Sequence, residues 1–146
     1  MMCKILLDTN VFSELMRPRP DPVVLDWFAR NDDELFNVST VTQAEILLGI
    51  ALLPDKKRRD ALAKATERMF AKNFAGRCLP FDESAASKYA LLVAARSRVG
   101  MPINTEDGQI AAIALSNDLP LVTRNTRNFL KIDGLKLVDP WSGKLT

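Results

Sequence analysis

The amino-acid sequence predicts a three-layer α/β protein with a mostly parallel central sheet, and three observations support this fold class. Short apolar runs typical of buried strands alternate with longer segments whose apolar residues have helical spacing. The chain has 146 residues, of which 47% are hydrophobic and 26% charged, as in an ordinary globular domain with its own core. No internal repeat, low-complexity tract or linker interrupts it, so residues 1–146 are expected to form a single domain.

The predicted strands and helices alternate along the sequence. Five short apolar runs are expected to form strands, at residues 4–7, 35–38, 77–79, 121–123 and 136–138. Six longer segments are expected to form helices, at residues 11–16, 22–30, 41–52, 55–72, 83–99 and 106–116. Three prolines between residues 18 and 22 stiffen the turn between the first two helices, and Pro54 ends the third. Because crossover connections in parallel sheets are right-handed, the carboxyl ends of all strands should meet at one edge of the sheet.

The sequence contains no histidine, which excludes several kinds of active site. Excluded are histidine-based acid–base catalysis, Ser-His-Asp and Cys-His nucleophiles, and histidine-ligated zinc or iron. Cys3 and Cys78 lack CxxC spacing, so neither a disulfide framework nor a zinc site is expected. Both are interpreted as small buried residues. An enzyme of this composition would work with carboxylates, hydroxyls, amides and cations.

No feature of the sequence indicates a membrane span or an export signal. No apolar run reaches the roughly 18 residues needed to cross a bilayer. The N-terminus, MMCKILLDTN, lacks the apolar core of a signal peptide. A cytoplasmic location without membrane contact is therefore expected.

Basic residues are concentrated in two places, although the net charge is only +2. Residues 56–59 read KKRR, and Arg124, Arg127 and Lys131 form a second group. The first group is interpreted as a solvated helix face or a partner contact, with RNA contact as the alternative.

Asp8 directly follows the first predicted strand, where the chain turns into a helix. One interpretation is an N-cap, in which the carboxylate accepts a backbone N–H of the helix. The other is a functional site, because α/β proteins place their sites at the carboxyl edge of the sheet. The local sequence alone leaves both interpretations open.

Glu45 lies in the segment TVTQAEILLGI, a predicted helix that is apolar nearly all round and is therefore expected to be buried. A buried carboxylate needs a basic partner or a cation, so a Glu–Arg pair and a ligand role both stay open. Gly49 lies one turn further along the same face. Because a mid-helix glycine costs about 1 kcal/mol relative to alanine, Gly49 suggests that another group approaches closely there.

Asp107 lies at the start of a predicted helix, where the helix dipole alone would favour an acid. However, Ala111, Ala112 and Ala114 indicate a close-packed, buried helix whose first turn reaches the sheet edge. Glu106 is rotated by about 100° from Asp107 and is expected to face water.

A fourth polar segment follows the strand predicted at residues 121–123. Arg124 and Asn125 come directly after Thr123, which ends that strand. A simple turn is one interpretation, since asparagine suits the left-handed conformation. The other is that these polar groups join the acids at the same sheet edge.

Asp8, Glu45 and Asp107 could therefore converge at one edge of the sheet. Two carboxylates about 5 Å apart repel by about 3 kcal/mol at an effective dielectric near 20, so such a cluster needs protons, basic partners or a hard cation. Oxygen ligands without histidine or cysteine favour Mg²⁺ or Mn²⁺ over zinc. Because Mg²⁺ held by few carboxylates shares the phosphates of its substrate, a phosphate-bearing substrate is expected.

The sequence resembles the PIN-domain family, specifically the VapC and FitB-type toxin ribonucleases of bacterial toxin–antitoxin pairs. The matching motifs are LLDTNVFSEL around Asp8, TVTQAEILLGI around Glu45, DGQIAAIA from Asp107, and LVTRNTRNF. RCLPFDESAASKYA and the terminal VDPW also resemble that branch. The resemblance covers essentially the whole chain.

This resemblance implies a Rossmann-like α/β/α fold with a five-stranded parallel sheet and Mg²⁺- or Mn²⁺-dependent cleavage of RNA. It also implies a homodimer and a small antitoxin that binds operator DNA and blocks the active site. The reaction would be in-line attack of metal-activated water on a phosphodiester, leaving a 5′-phosphate. The implied metal-binding and catalytic residues are Asp8, Glu45 and Asp107. The implied supporting polar residues are Thr9, Asn10 and Thr123. From their place in the sequence, Asn125 is expected to join these polar residues, and Arg124 and Arg127 are candidate contacts to RNA phosphates.

The sequence departs from the family at one position and leaves alternatives for its function. Many family members carry a fourth acid after the fourth strand, where this chain has Asn125 and Asn128, so one firmly bound cation and one weak one are expected. An aspartate-nucleophile phosphatase, with Asp8 attacking phosphate, is a rival interpretation, although Asn10 stands where that chemistry generally needs a second acid. Another alternative is a non-catalytic PIN-like module that binds a protein partner or operator DNA.

Overall fold

The computed structural model describes residues 4–31, 35–142 and 144–145, so the prediction for Cys3 lies outside the described residues. The strands are β1 Lys4–Leu7, β2 Leu35–Ser39, β3 Cys78–Leu79, β4 Leu121–Val122, β5 Leu137–Asp139 and β6 Lys144–Leu145. The helices are α1 Thr9–Met16, α2 Pro22–Arg30, α3 Thr40–Ala51, α4 Lys56–Lys72, α5 Glu83–Arg98 and α6 Thr105–Ser116, with a 3₁₀ helix at Thr126–Phe129. None of the described helices is long and apolar enough to cross a membrane.

The strands of the described residues form one six-stranded sheet in the order β3-β2-β1-β4-β5-β6. Strands β1 to β5 are parallel, so their carboxyl ends lie at one edge, and β1 is central between β2 and β4. The predicted α/β fold with a mostly parallel sheet is confirmed. The sixth strand was not predicted. It pairs antiparallel with β5, with Val138 opposite Leu145, and its two residues carry no apolar run of their own.

Two apolar clusters cover the two faces of the sheet, which gives the three layers. Successive side chains of a strand point to opposite faces, and all three apolar residues of β1 are buried. Leu6 packs with residues of α5 and α6 on one face. Ile5 and Leu7 pack with residues of α1, α2 and α4 on the other. The central strand is therefore covered on both sides, and its end at Leu7 carries the next residue, Asp8, to the sheet edge.

Helix α3 is apolar but is not buried, so the prediction for this helix was wrong. Of its residues only Thr42 and Ile50 are buried. Leu48 is 60% exposed, and Leu52, at the C-terminal end of the helix, is 73% exposed. In the described part of the chain, no atom outside this helix lies within 4 Å of where a Cβ on Gly49 would be, so the expected close approach is also absent. The described part of the chain therefore leaves Leu48 and Leu52 largely uncovered.

The two mid-helix glycines are expected to respond oppositely to alanine. A Cβ on Gly108 in α6 would lie 2.9 Å from Cε2 of Tyr89 and 3.2 Å from Cγ2 of Val93 in α5. Gly108→Ala should lower the free energy of unfolding by about 1–2 kcal/mol, because overpacking outweighs the gain in helix propensity. Gly49→Ala, into open space, should raise it by about 1 kcal/mol. Urea denaturation measures both free-energy changes. A stabilising Gly108→Ala would show that α5 shifts easily to accommodate the added methyl group.

Candidate active site

Asp8 is held rigidly at the carboxyl end of β1. Its side chain is 3% exposed. One carboxylate oxygen accepts the backbone N–H of Thr9 at 2.8 Å, so the predicted capping role at α1 is confirmed. The other accepts the Thr123 hydroxyl, at the end of β4, at 2.7 Å and the Asn10 side-chain amide at 3.1 Å. An N-cap does not require the contact from Thr123, so the orientation of the Asp8 carboxylate is fixed by more than its capping role.

The electrostatic environment of Asp8 shows that the three predicted acids lie near one another. Burial raises the pKa of the Asp8 carboxyl to about 6, against the hydrogen bonds from Thr123 and Thr9. The charges of Asp107 and Glu45 raise this pKa further. The topology therefore brings Asp8, at the end of the central strand, within electrostatic reach of acids on α3 and α6.

Glu45 reaches the site from α3, but it is exposed rather than buried as predicted. The Thr9 hydroxyl donates to Oε1 of Glu45 at 2.6 Å. The same hydroxyl lies 2.8 Å from the hydroxyl of Thr42, which then acts as the donor of that second bond. The predicted alternative, a Glu–Arg pair, is not formed with any described residue. Glu45 is thus solvent-accessible and oriented toward the site by α1.

Asp107 is half-buried in the first turn of α6 and is held by two asparagines. The Asn104 side chain accepts the Asp107 backbone N–H at 2.8 Å and donates to its carboxylate at 3.0 Å. The Asn128 amide lies 3.4 Å from the same carboxylate oxygen. Burial raises the pKa of Asp107, and the charge of Glu106 raises it further. The two amide hydrogen bonds and the charge of Arg96 oppose this shift. Glu106 is exposed, as predicted.

The sequence analysis assigned no role at the site to either of these two asparagines. Asn104 had a readable signal, because an asparagine three residues before an acid at a helix start is typical of an N-cap with a reciprocal contact. Asn128 had none, because its approach to Asp107 depends on the 3₁₀ helix after β4.

The supporting polar residues meet at Thr123, which is fully buried. Its hydroxyl donates to Asp8 and accepts the Asn10 amide at 3.3 Å and the backbone N–H of Asn125 at 3.0 Å. Asn10 in turn accepts the backbone N–H of Arg124 at 3.1 Å. Asn125 does not adopt the left-handed conformation on which the simple-turn interpretation relied, since its φ is −92°, and its side chain does not cap the 3₁₀ helix. Asn125 therefore contributes through its backbone.

The basic residues lie at two separate places. Arg124 and Arg127 are exposed beside the acids, in the segment that follows β4. The Arg124 guanidinium stacks on the Trp141 ring at 4.6 Å from its centroid. The run at residues 56–59 begins α4 and is largely exposed, with Arg59 donating to the Leu53 carbonyl at 3.0 Å. Cys78, predicted to be buried, is only half-buried.

The donor set at this edge suits a hard cation that keeps its own water. Within the described ranges, no cationic side chain forms an ion pair with Asp8, Glu45 or Asp107. In those same ranges, no three cysteine or acidic side chains are close enough together to hold a metal ion by themselves. Mg²⁺ commonly binds one or two carboxylates and fills its other positions with water and substrate phosphate. The acids without ion-pair partners and the all-oxygen donors fit such an ion.

The sequence is similar to those of known proteins. A family model described as the PIN domain matches residues 5–135. The chain is 43% identical to the plasmid stability protein StbB of Pseudomonas syringae pv. tomato and 40% identical to toxin FitB of Neisseria gonorrhoeae, each over 137 residues covering 94% of this chain and 98% of the relative. It is 39% identical to VapC ribonuclease Y4jK of Sinorhizobium fredii over 94% of this chain and 97% of that protein.

Solved structures show the same likeness in three dimensions. FitAcB from Neisseria gonorrhoeae superposes with a TM-score of 0.83 at 38% identity, over 97% of this chain and 99% of that chain. The DNA-bound VapBC complex of Salmonella typhimurium gives a TM-score of 0.71 at 27% identity, over 96% of this chain and 99% of that chain. Because the family model spans residues 5–135 and the relatives match nearly their whole length, the chain belongs to the PIN-domain family, in its VapC- and FitB-like branch.

Proposed function

We propose that the protein is a metal-dependent endoribonuclease and the toxin of a toxin–antitoxin pair. The observation that carries this proposal is Asp8, buried at the end of the central strand, hydrogen-bonded on both oxygens and within the fields of Glu45 and Asp107. Direct ion pairs do not explain why these three acids lie together, since none of them forms a salt bridge with a described residue. The names of the relatives, a toxin and a VapC ribonuclease, support the same interpretation.

Asp8 and Asp107 would hold Mg²⁺ or Mn²⁺, with Glu45 close by. When bound, such an ion lowers the pKa of water and stabilises charge on phosphoryl oxygens. Thr123 and Asn10 keep the Asp8 carboxylate in one orientation. Glu45, exposed and fixed by the Thr9 hydroxyl, would orient the attacking water and accept its proton.

The proposed partners are RNA, a second copy of the chain and a small antitoxin through which the pair would bind operator DNA. The DNA-bound VapBC complex supports the antitoxin and the DNA. The exposed side chains of Leu48 and Leu52 offer apolar surface for protein partners. Light scattering of the purified chain measures whether it is a dimer.

The central experiment is cleavage of 5′-labelled single-stranded RNA. The purified protein should cut RNA with Mg²⁺ or Mn²⁺, leave a 5′-phosphate on the downstream fragment, and stop in EDTA. RNA that is bound but never cut with either metal would favour the alternative, a non-catalytic PIN-like module.

The position of the missing fourth acid can be tested with two asparagine variants. Asn128→Asp places a carboxylate where an amide now lies 3.4 Å from Asp107, so it should tighten Mn²⁺ binding on the order of tenfold. Asn125→Asp is the matched control, because the Asn125 side chain does not cap the 3₁₀ helix and its backbone carries its contact. Titration calorimetry measures both, with one firm Mn²⁺ per chain expected for the wild type. Tighter binding in Asn125→Asp alone would place the missing ligand at Asn125.

A further inference from the structure

We propose that Trp141 positions Arg124 to bind a phosphate of the RNA chain in a cleft beside the acids. The cleft is lined by residues 124–128 and has a volume of about 390 Å³. The inference rests on the proposed function and adds a substrate subsite to it. Arg124 would be the binding residue and Trp141 the positioning residue.

The Arg124 guanidinium lies over the Trp141 ring. The Arg124 guanidinium carbon lies 4.6 Å from the centre of the Trp141 ring, within the range of a cation–π interaction. Arg124 is exposed, and none of the described residues forms an ion pair with it. An exposed arginine without a carboxylate partner samples many rotamers, so the ring limits this freedom.

The tryptophan is itself anchored to the sheet. It follows β5, and its backbone N–H donates to the Asp139 carboxylate at 2.9 Å. The ring is half-buried and packs against the apolar cluster that contains Leu7 and Val122. The stacking surface therefore belongs to the rigid part of the fold.

Each end of the cleft lies next to one of the acids. The backbone N–H of Arg124 donates to Asn10, whose amide donates to Asp8. At the other end of the cleft, Asn128 lies against Asp107. A phosphate in this cleft would thus belong to the same RNA chain as a phosphate at the acids.

The chemistry of the cleft selects an anion. Its lining residues include two arginines and no acid. Stacking uses the face of a guanidinium and leaves its edge N–H groups free, and these match two oxygens of a phosphate. A lysine would lack both the flat face and the fork of donors.

Binding of fluorescent single-stranded RNA in EDTA, where cleavage is stopped, tests this inference. Arg124→Leu and Trp141→Leu should each weaken binding roughly fivefold and lower the salt slope of log K by about 0.7, the value for one phosphate contact on a single strand. The double variant should bind no worse than Arg124→Leu alone, because Trp141 acts through Arg124. Trp141→Phe keeps an aromatic face and should retain most of the affinity.

Lys136→Leu is the control, since it removes one positive charge at the opposite edge of the sheet, before β5. Additive losses in the double variant, or an unchanged salt slope in Trp141→Leu, would show that Trp141 only supports the fold, and would overturn the inference. Wild-type protein that neither binds nor cuts RNA would instead refute the proposed function.

Discussion

Replacing Asp8 by asparagine is expected to lower the rate of RNA cleavage by at least about a thousandfold while the protein stays folded. The amide keeps the shape of the side chain and an acceptor for the Thr9 N–H, but it removes the charge that would hold a cation. Initial rates on labelled RNA and circular dichroism measure the two properties.

Asp118→Asn is the matched control for this experiment. It makes the same chemical change at the amino end of β4, at the opposite edge of the sheet, and φ at Asp118 is 55°, which asparagine tolerates. This variant should cleave RNA like the wild type. Glu45→Gln and Asp107→Asn should lose cleavage as Asp8→Asn does. Full activity in Asp8→Asn would mean that the acids serve the fold and not the reaction.

The metal-free protein is expected to be about 2 kcal/mol less stable near pH 7.5 than near pH 4.5 because of Asp8 alone. The pKa of this carboxyl is about 6 in the folded protein, against 3.8 for an aspartate that is not buried. Folding thus favours the protonated acid, and the favourable contribution is complete below pH 3.8 and lost as the pH rises through 6. Burial is the main cause, so salt should screen the effect only weakly.

Chemical denaturation in EDTA at the two pH values measures this contribution. In Asp8→Asn the difference in stability between the two pH values should shrink by about the amount assigned to Asp8. Asp118→Asn should keep the wild-type dependence, since Asp118 is exposed. An identical pH dependence in wild type and Asp8→Asn would show that Asp8 is compensated in the folded protein.

The sequence by itself determined the architecture and the positions of two of the three acids. The alternation of apolar runs and helical segments predicts the layers, because buried residues recur with a different period in strands and in helices. Asp8 and Asp107 could be placed because each lies where a strand ends or a buried helix begins, and parallel strands end at one edge. The absence of histidine restricted the chemistry without any structure.

Tertiary structure decided what depends on neighbours distant in the sequence. Glu45 was predicted to be buried because its helix is apolar. Burial requires a covering element, and no described element covers Glu45. The contact of Asn128 with Asp107 and the stack of Arg124 on Trp141 depend on how the 3₁₀ helix and the end of β5 lie against α6 and β4. A sequence pattern indicates which residues avoid water, whereas packing across the sheet determines which residues contact one another.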